Sequence, residues 1–178
     1  MRIIGGRLKG LRLSPPRNLP VRPTTDLAKE ALFNILNNQI ELEGLRVLDL
    51  FTGTGNMAFE FASREAASVM AIDRSEAGVR YISATAKQHG LDQLKAQKAD
   101  VFAFLKRPQE KYDLIFADPP YDLDRIPEIP VLVFQQNLLD KNGMLIVEHQ
   151  AMQNLSAHPN FKEQRRYGHS AFSFFSNE

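Results

Sequence analysis

The sequence predicts an α/β fold with a mostly parallel sheet. Short apolar runs alternate with helical patterns from residue 44 onward, which is typical of parallel strands joined by helical crossovers. A glycine turn follows the first of these runs, and the last two runs are joined around one glycine instead of a helix. The 178 residues suffice for one well-filled core. We therefore divide the chain into a hairpin and connector over residues 1–23 and one α/β domain over residues 24–178.

The N-terminal residues predict a short basic β-hairpin followed by a stiff connector. The alternation from Leu8 to Leu13, after a glycine pair, is typical of short strands around a turn. Four prolines between residues 15 and 23 restrict the connector that follows. Thr24 and Thr25 then offer N-cap hydroxyls to a helix. We expect its core-facing residues to be Leu27, Ala28, Ala31, Leu32, Ile35 and Leu36.

Five apolar runs predict the parallel strands of the sheet. They are Arg46–Leu50, Ser68–Asp73, Leu94–Lys98, Asp113–Ala117 and Met144–Glu148. Near the C-terminus, Phe161–Tyr167 and Ala171–Phe175 flank Gly168 and predict an antiparallel hairpin. Together these segments give a seven-stranded, mostly parallel sheet that ends in an antiparallel strand.

Two of the later helices have recognisable ends. Ser75 provides an N-cap hydroxyl for a helix that runs toward Gly90, a residue type favoured just beyond a helix C-terminus. Pro130 and Val131 lead into a second helix, which we expect to end near Leu138.

The composition excludes several classes of protein. The chain has no cysteine, so disulfides, thiolate catalysis and zinc bound through sulfur are excluded. Its four histidines lack the spacing of metal ligands, and we predict no metal site. No apolar run approaches the roughly 20 residues that span a bilayer, and the N-terminus lacks the apolar run of a secretion signal. We expect a cytoplasmic protein that does not contact a membrane.

The charge of the chain is concentrated at its N-terminus. The formal net charge is only +1, yet residues 1–29 contain seven basic residues and one acidic residue, so they carry +6 and the remainder −5. This asymmetry favours a polyanion bound at one edge of the molecule. The alternative is a solvated basic terminus without a partner. The candidate nucleic-acid contacts are Arg2, Arg7, Lys9, Arg12, Arg17, Arg22, Thr24, Thr25 and Lys29.

A glycine turn after the first strand predicts a cofactor loop. Gly53 and Gly55 lack a Cβ atom, so their backbone can approach a ligand closely at the start of the next helix. Asp73 ends the second strand about 20 residues later, where a carboxylate commonly accepts ribose hydroxyls. Asp100 and Val101 follow the third strand and are placed to recognise an adenine edge. The turn therefore predicts a nucleoside-containing cofactor.

Two cofactors are compatible with this loop. Gly53, Gly55 and Ala58 with the later acid also satisfy the loose pattern of a dinucleotide site such as that for NAD. Asp49, just before the turn, is placed to meet an ammonium group, which favours S-adenosylmethionine. The candidate cofactor-binding residues are Asp49, Phe51, Thr52, Gly53, Gly55, Asp73, Arg74, Asp100, Val101 and Asp118.

The tetrapeptide from Asp118 to Tyr121 predicts the catalytic loop. Pro119 and Pro120 fix φ and remove two backbone donors, so the loop is stiff and its carbonyl groups remain acceptors. The carboxylate of Asp118 and the carbonyl of Pro119 can accept the two N–H bonds of an amino group. Tyr121 offers an aromatic face to an extruded base. The alternative is an ordinary rigid turn after a buried strand.

On these motifs the chain is identified as a member of the RsmD family of Rossmann-like class I methyltransferases. The resemblance covers nearly the full length and rests on Met1–Gly6, on Arg22–Asp26 leading into Glu30–Leu36, on Leu48–Gly55 and on Asp118–Tyr121. The first two segments are the most specific to the family, since the other two occur across many amino methyltransferases.

The resemblance implies S-adenosylmethionine-dependent methylation of a guanine N2 amino group in 16S rRNA, at the family site guanine 966. The implied partner is the 16S rRNA or the assembled small ribosomal subunit, and we expect a monomer. Three positions depart from the family pattern: Leu27 replaces a common arginine, Asp73 a usual glutamate, and Thr85 lies near a frequent asparagine. Two alternatives remain open, an adenine-N6 DNA methyltransferase and an NAD-dependent oxidoreductase.

Overall fold

A computed structural model of the protein describes residues 1–19 and 24–177. Its strands are β1 Arg46–Leu50, β2 Ser68–Asp73, β3 Leu94–Lys98, β4 Tyr112–Ala117, β5 Leu139–Gln150, β6 Phe161–Tyr167 and β7 Ser170–Ser176. Its helices are α1 Asp26–Gln39, α2 Asn56–Ser63, α3 Glu76–Gln88, α4 Val101–Leu105 and α5 Glu128–Gln135. Residues 20–23 lie outside the described residues. They include Arg22 and the last two prolines of the predicted connector.

All seven strands form one sheet in the order β3-β2-β1-β4-β5-β7-β6. The first five strands pair in parallel, whereas β7 pairs antiparallel with both β5 and β6. The predicted fold class is therefore confirmed. Leu50 is in register with Ala117 across the β1–β4 pair, so the loops that follow these two strands leave the same edge of the sheet side by side.

A hydrophobic core lies on each face of the sheet. Helices α1, α2 and α3 cover one face, where Leu32, Phe33 and Phe61 are fully buried and the rings of Phe33 and Phe61 meet edge to face at 5.2 Å. Helices α4 and α5 cover the other face around Leu48 and Ile115. The two faces are used in alternation by successive strand residues, as a doubly covered sheet requires.

The core-facing side of helix α1 agrees with the prediction except at its margin. Ala28, Leu32 and Leu36 are buried as expected, but Leu27 is 76% exposed and Lys29 is 0% exposed. The buried positions are 28, 29, 32, 33 and 36, so the predicted stripe was wrong at Leu27 and missed Lys29 and Phe33. A buried charged group is tolerated here because it is paired, as described below.

Most other helix and strand boundaries agree with those predicted from the sequence. Strands β1, β2 and β3 have the predicted bounds, and Ser75 caps α3 by accepting a hydrogen bond from the Gly78 amide at 3.1 Å. Strand β5 begins five residues earlier than predicted, and α5 begins before Pro130. Pro130 lies in the first turn of that helix, where its missing N–H has no intrahelical partner to lose.

The N-terminal arm, residues 1–13, is an irregular hairpin. It has one antiparallel bridge between Arg2 and Arg12, and the Ile3 amide donates to the Leu11 carbonyl at 2.9 Å. The arm docks on the end of α2, where the Ser63 hydroxyl donates to the Gly5 carbonyl at 2.7 Å. At Gly6, with φ of 76°, a Cβ atom would lie 2.1 Å from the Ser63 carbonyl oxygen, so this close approach requires glycine.

Candidate active site

The predicted site residues gather at one edge of the sheet. Asp49 lies near the end of β1, Asp73 ends β2, and Asp118 directly follows β4. Because β2, β1 and β4 are parallel neighbours, their carboxyl ends meet at this edge. The structure thus brings the predicted cofactor loop and the predicted catalytic loop next to each other.

Asp49 is a fully buried carboxylate without a cationic partner. It is 1% exposed, and the Thr52 hydroxyl donates to its Oδ2 atom at 2.7 Å. Burial, and to a lesser degree the nearby charge of Asp73, raise the pKa of Asp49 to about 7, although the Thr52 hydrogen bond opposes this. Among the described residues, none contributes a favourable charge to it. The ammonium group of a methionine moiety would supply the missing countercharge, so this residue fits the predicted cofactor.

Asp73 holds the glycine turn in place. Its Oδ2 atom accepts a hydrogen bond from the Gly53 amide at 2.9 Å, and its Oδ1 atom accepts one from the Ser75 amide at 2.8 Å. A carboxylate can accept about four hydrogen bonds, so it retains capacity for ribose hydroxyls. Gly55 has φ of 83°, and a Cβ atom there would lie 2.8 Å from Ile82 Cγ1. The turn is therefore both fixed from β2 and sterically restricted to glycine.

The remaining predicted cofactor residues line the same edge. Asp100 caps α4 by accepting from the Ala103 amide at 2.9 Å and is exposed, whereas Val101 is buried. Phe51 is half-buried with φ of 58°, and its ring meets Phe102 edge to face at 6.1 Å. The side chain of Arg74 is exposed beyond β2. Hence the residues predicted to surround an adenosine all follow β1, β2 or β3.

The catalytic loop is held from two sides. Asp118 is half-buried, and the Thr24 hydroxyl lies 3.5 Å from its Oδ2 atom. Pro119 is buried and Pro120 is exposed. Tyr121 is half-buried, and its hydroxyl forms a hydrogen bond with the Ser170 hydroxyl at the start of β7. This bond fixes the direction of the tyrosine ring at the edge of the sheet.

An open cavity adjoins the catalytic loop. Its volume is about 420 Å³, and it lies between the segment after β4 and the segment after β5. The residues that line it are Tyr121, Asp122, Leu123, Asp124, Gln150, Met152 and Gln153. Arg125, farther along the same segment, lies over the Phe102 ring at 3.9 Å and pairs with Glu128. The cavity is large enough for one base and presents hydrogen-bonding groups of both kinds.

Most of the candidate RNA-binding residues are exposed. Those on the surface of the described chain are Arg2, Arg7, Lys9, Arg12, Arg17 and Thr25. Arg2 pairs with Asp26 at 3.4 Å and Arg7 with Glu65 at 3.9 Å, but such exposed pairs contribute only about 0–1 kcal/mol and compete weakly with a phosphate. Thr25 caps α1, since its hydroxyl accepts from the Ala28 amide at 3.1 Å.

Two of the predicted RNA contacts are wrong. Lys29 is fully buried, where its ammonium group pairs with Glu60 at 3.0 Å and donates to the Arg2 carbonyl at 2.7 Å. Thr24 is 4% exposed, and its hydroxyl donates to Glu148 at 2.8 Å. Neither side chain can reach a phosphate while these contacts hold. Both instead belong to the interior of the domain behind the site.

Three polar residues that contact Lys29 or Thr24 were not predicted from the sequence. Asn56 Oδ1 accepts from the Lys29 ammonium at 2.9 Å, and Asn56 Nδ2 donates to the Thr24 carbonyl at 3.1 Å. Glu60 accepts from the Ile4 and Gly5 amides, and Glu148 bonds Thr24. A signal existed for Glu60, since it is one charge within the apolar run of residues 57–62, a position that a buried partner must neutralise.

The described residues contain neither a candidate membrane-spanning helix nor a cluster of potential metal ligands. No helix within residues 1–19 and 24–177 is long and apolar enough to cross a membrane. The same part of the chain contains no group of three or more histidine, aspartate or glutamate side chains arranged to hold a metal ion.

Comparison with known proteins identifies the family. The sequence model described as Conserved hypothetical protein 95 matches residues 1–176. Ribosomal RNA small subunit methyltransferase D of Buchnera aphidicola subsp. Baizongia pistaciae is 26% identical and covers 99% of this chain and 92% of its own. The enzyme of the same name from Escherichia coli is 30% identical over 83% of this chain and 71% of its own.

The structural comparison agrees with the sequence comparison. The Escherichia coli protein yhhF superposes with a TM-score of 0.87 at 25% identity, covering 100% of this chain and 98% of that one. The family resemblance inferred from the motifs is thereby confirmed. The chain belongs to the family of Conserved hypothetical protein 95, the RsmD-type methyltransferases of small-subunit ribosomal RNA.

Proposed function

We propose that the protein transfers a methyl group from S-adenosylmethionine to the N2 amino group of a guanine in 16S rRNA, at the family site guanine 966. One observation carries the proposal: the buried, unneutralised carboxylate of Asp49 and the catalytic loop of Asp118 lie on neighbouring parallel strands. The first group favours a cationic cofactor, and the second offers acceptors for an amine. The rRNA named for the relatives supplies the substrate class.

The residues around the glycine turn would hold the cofactor. Asp49 binds the ammonium group, Asp73 accepts the ribose hydroxyls, and Asp100 with Val101 meets the adenine edge. When bound, S-adenosylmethionine supplies an electrophilic methyl group. The protein contributes position, because alignment of the reacting groups can remove several kcal/mol from the barrier. The glycine turn, fixed by Asp73, provides this rigidity.

The catalytic loop would hold the target amine. Asp118 and the Pro119 carbonyl accept its two N–H bonds, which favours a pyramidal nitrogen with an available lone pair. Tyr121 stacks on the flipped base, a contact worth about 1–3 kcal/mol. Because the Ser170 hydroxyl holds the tyrosine hydroxyl, little conformational freedom is lost when the base stacks. The adjoining cavity of about 420 Å³ then receives the base edge.

The exposed arginines and lysine of the N-terminal arm would bind the RNA backbone. Their side chains are exposed, and each phosphate contact adds affinity that falls with salt concentration. The proposed substrate is the assembled small subunit or its 16S rRNA, bound by a monomer. Since the arm docks on α2, which begins at the glycine turn, RNA and cofactor would be bound by adjoining parts of the protein.

Methylation with labelled S-adenosylmethionine tests the proposal. Undermethylated small ribosomal subunits, naked 16S rRNA and duplex DNA are offered in parallel, and the products are analysed as nucleosides by mass. We expect N2-methylguanosine in a ribosomal substrate only. Methyladenine in DNA would overturn the proposal, as would a melting shift of the protein with NAD but not with S-adenosylmethionine.

Substitution of Asp118 separates the two halves of the site. Asp118→Ala should abolish turnover and change the dissociation constant of the cofactor little, because the main proposed role of this carboxylate is to hold the amine and its predicted contact with the cofactor is secondary. Asp92→Ala, an exposed aspartate on the loop before β3, is the matched control and should transfer at the wild-type rate. Loss of cofactor binding together with turnover in Asp118→Ala would contradict this division of roles.

A further inference from the structure

Three side chains from separate elements meet behind the catalytic loop. Thr24 Oγ1 lies 2.8 Å from Glu148 Oε2 and 3.5 Å from Asp118 Oδ2. Glu148 is 1% exposed, so it is a carboxylate almost fully withdrawn from water. The proposed methylation employs Asp118 but gives no role to Glu148. A buried acid of this kind, next to a reacting group, is a candidate participant in the chemistry.

The register of the sheet places the two acids side by side. Ala117 pairs with Val147 in the parallel β4–β5 pair, so Asp118 and Glu148 are the next residues on neighbouring strands. Among the described residues, His149, the next residue of β5, is a titratable group on which the charge of Glu148 acts. Burial lowers the pKa of His149, whose ring nitrogens bond the Gln150 carbonyl and the Ser173 hydroxyl, so it remains neutral and supplies no countercharge.

Thr24 is fixed between the two acids. Its carbonyl accepts from Asn56 Nδ2 at 3.1 Å, and Asn56 is in turn bonded to the buried Lys29. Its hydroxyl carries one proton and can also accept a hydrogen bond. It therefore can donate to Glu148 while it accepts from a protonated Asp118. The contact with Asp118 is long for a hydrogen bond, because the one hydroxyl proton of Thr24 is donated to Glu148.

We propose, on the basis of the methylation proposed above, that the Thr24 hydroxyl relays the proton released by the target amine from Asp118 to Glu148. As the nitrogen lone pair forms a bond to the methyl group, the methyl–sulfur bond of the donor breaks and its electron pair stays on sulfur. One N–H proton passes to Asp118 Oδ2, and the electron pair of that N–H bond stays on nitrogen. That proton moves to Thr24 Oγ1 while the original hydroxyl proton passes to Glu148 Oε2. Asp118 is then ionised again, the hydroxyl is restored, and Glu148 holds the proton. Thr24 and Glu148 act through Asp118 and touch neither substrate nor cofactor.

Single-turnover methyl transfer to undermethylated small subunits tests the relay. Thr24→Val removes the hydroxyl and keeps the shape of the side chain, while Glu148→Gln keeps an acceptor but removes the basic group. Each should slow transfer about tenfold or more, because proton transfer to a positioned base commonly contributes at least two orders of magnitude. The dissociation constant of the cofactor and the KM for the subunits should stay near the wild-type values.

Two further variants distinguish a relay from a structural role. Thr24→Ser retains a hydroxyl and should recover most of the rate. Thr85→Val removes a buried threonine hydroxyl in α3, far from the site, and should transfer at the wild-type rate. The double variant of Thr24→Val and Glu148→Gln should be no slower than the slower single variant, since both break one path.

The outcomes separate failure of the relay from failure of the methylation. Wild-type rates in Thr24→Val and Glu148→Gln, a serine variant as slow as the valine variant, or a loss confined to KM would overturn the relay alone. A wild-type protein that makes no methylguanosine would overturn the proposed function and the relay with it.

Discussion

Two buried polar clusters lie at the two ends of the glycine turn and carry charge in opposite ways. On the α2 side, Lys29 and Glu60 are both 0% exposed, and the carboxylate of Glu60 also accepts from Arg64 at 2.9 Å and from two backbone amides. On the β1 side, Asp49 is equally buried but has a neutral hydroxyl as its partner and Asp73 as a nearby like charge. We call the first the closed cluster, because its buried ammonium and carboxylate groups pair with each other. We call the second the open cluster, because no cation among the described residues pairs with its carboxylate.

This difference separates a structural role from a binding role. A buried charge with matched partners holds elements together, here the N-terminal arm, α1 and α2. A buried charge without a counterion destabilises the unliganded protein. At a ligand site, this cost is offset when a ligand of opposite charge binds. Substitutions in the first cluster should therefore mainly lower the free energy of unfolding, and substitutions in the second should mainly weaken cofactor binding.

The largest effect is expected in the closed cluster. Glu60→Ala leaves the buried Lys29 ammonium without its anion and two arm amides without an acceptor, so the free energy of unfolding should fall by about 3–5 kcal/mol. Urea unfolding measures this. The control is Glu163→Ala, which breaks an exposed pair with Arg165 and should cost at most about 1 kcal/mol. Equal losses in the two variants would show that the buried cluster does not hold the arm.

A substitution in the open cluster should stabilise the protein, in contrast to one in the closed cluster. Without cofactor, Asp49→Asn should raise the free energy of unfolding above pH 7, because it removes a carboxylate that is charged and unpaired there. The pKa of Asp49 is about 7 when folded against 3.8 as the ordinary value, so the wild-type protein binds more protons folded than unfolded between these values. Its stability should decline across that range, by on the order of 2–4 kcal/mol, and the variant should lack the decline.

Urea unfolding of the wild type and Asp49→Asn at pH 5 and pH 8 measures this difference. Cofactor binding serves as the internal contrast, since the same variant should bind S-adenosylmethionine far more weakly at both pH values. A variant that is less stable than the wild type at pH 8 would mean that Asp49 has a structural role.

The charge of the open cluster should also change when the cofactor binds. Below pH 7 the free protein holds a proton on Asp49, and an ammonium group placed beside it favours the ionised form. Binding of S-adenosylhomocysteine at pH 6 should therefore release close to one proton, a count that falls toward zero at pH 8. Calorimetric titrations in buffers of different ionisation enthalpy measure it. Asp49→Asn should abolish the release in whatever binding remains, and an unchanged release would assign the proton to another group.

The smallest effect is expected just outside the closed cluster. Leu27 is exposed and directly follows Asp26, which pairs with Arg2, so Leu27→Arg should change the free energy of unfolding by less than about 0.5 kcal/mol. It should strengthen RNA binding at low salt and steepen the salt dependence by about one phosphate contact. Filter binding at several salt concentrations tests this, and Leu27→Gln provides the uncharged comparison. An unchanged salt slope would place α1 away from the RNA.

Much of the fold could be predicted because strand and turn signals are local. The apolar runs gave the bounds of β1, β2 and β3, and the N-cap hydroxyls of Thr25 and Ser75 gave the starts of two helices. The beginnings of β4 and β5 needed more than local signals. Gly143 packs with its Cα against the Tyr112 carbonyl oxygen, where a Cβ atom would come within 3.0 Å, and this long-range contact accommodates a shift in register.

In the candidate site, too, local signals predicted some residues but not those whose position depends on long-range contacts. Residues at strand ends, such as Asp49 and Asp118, could be located because parallel strands bring their carboxyl ends to one edge. Lys29 was misplaced because helical spacing does not fix which positions at the margin of an apolar face turn inward. Its burial depends on Glu60, which is 31 residues away in sequence and adjacent only after α1 and α2 pack. Long-range pairing of charges is therefore the part that local patterns missed.

The position of β7 constrains how the chain can fold during synthesis. Strand β6 is made first but lies at the outer edge, and β7 must insert between β5 and β6. Phe172 and Phe175 of β7 are buried in the cores on opposite faces of the sheet. Until residues 170–176 have left the exit tunnel, β5 presents an open edge to other chains and neither core is filled. Cooperative folding of the nascent chain thus has to wait for its C-terminal hairpin.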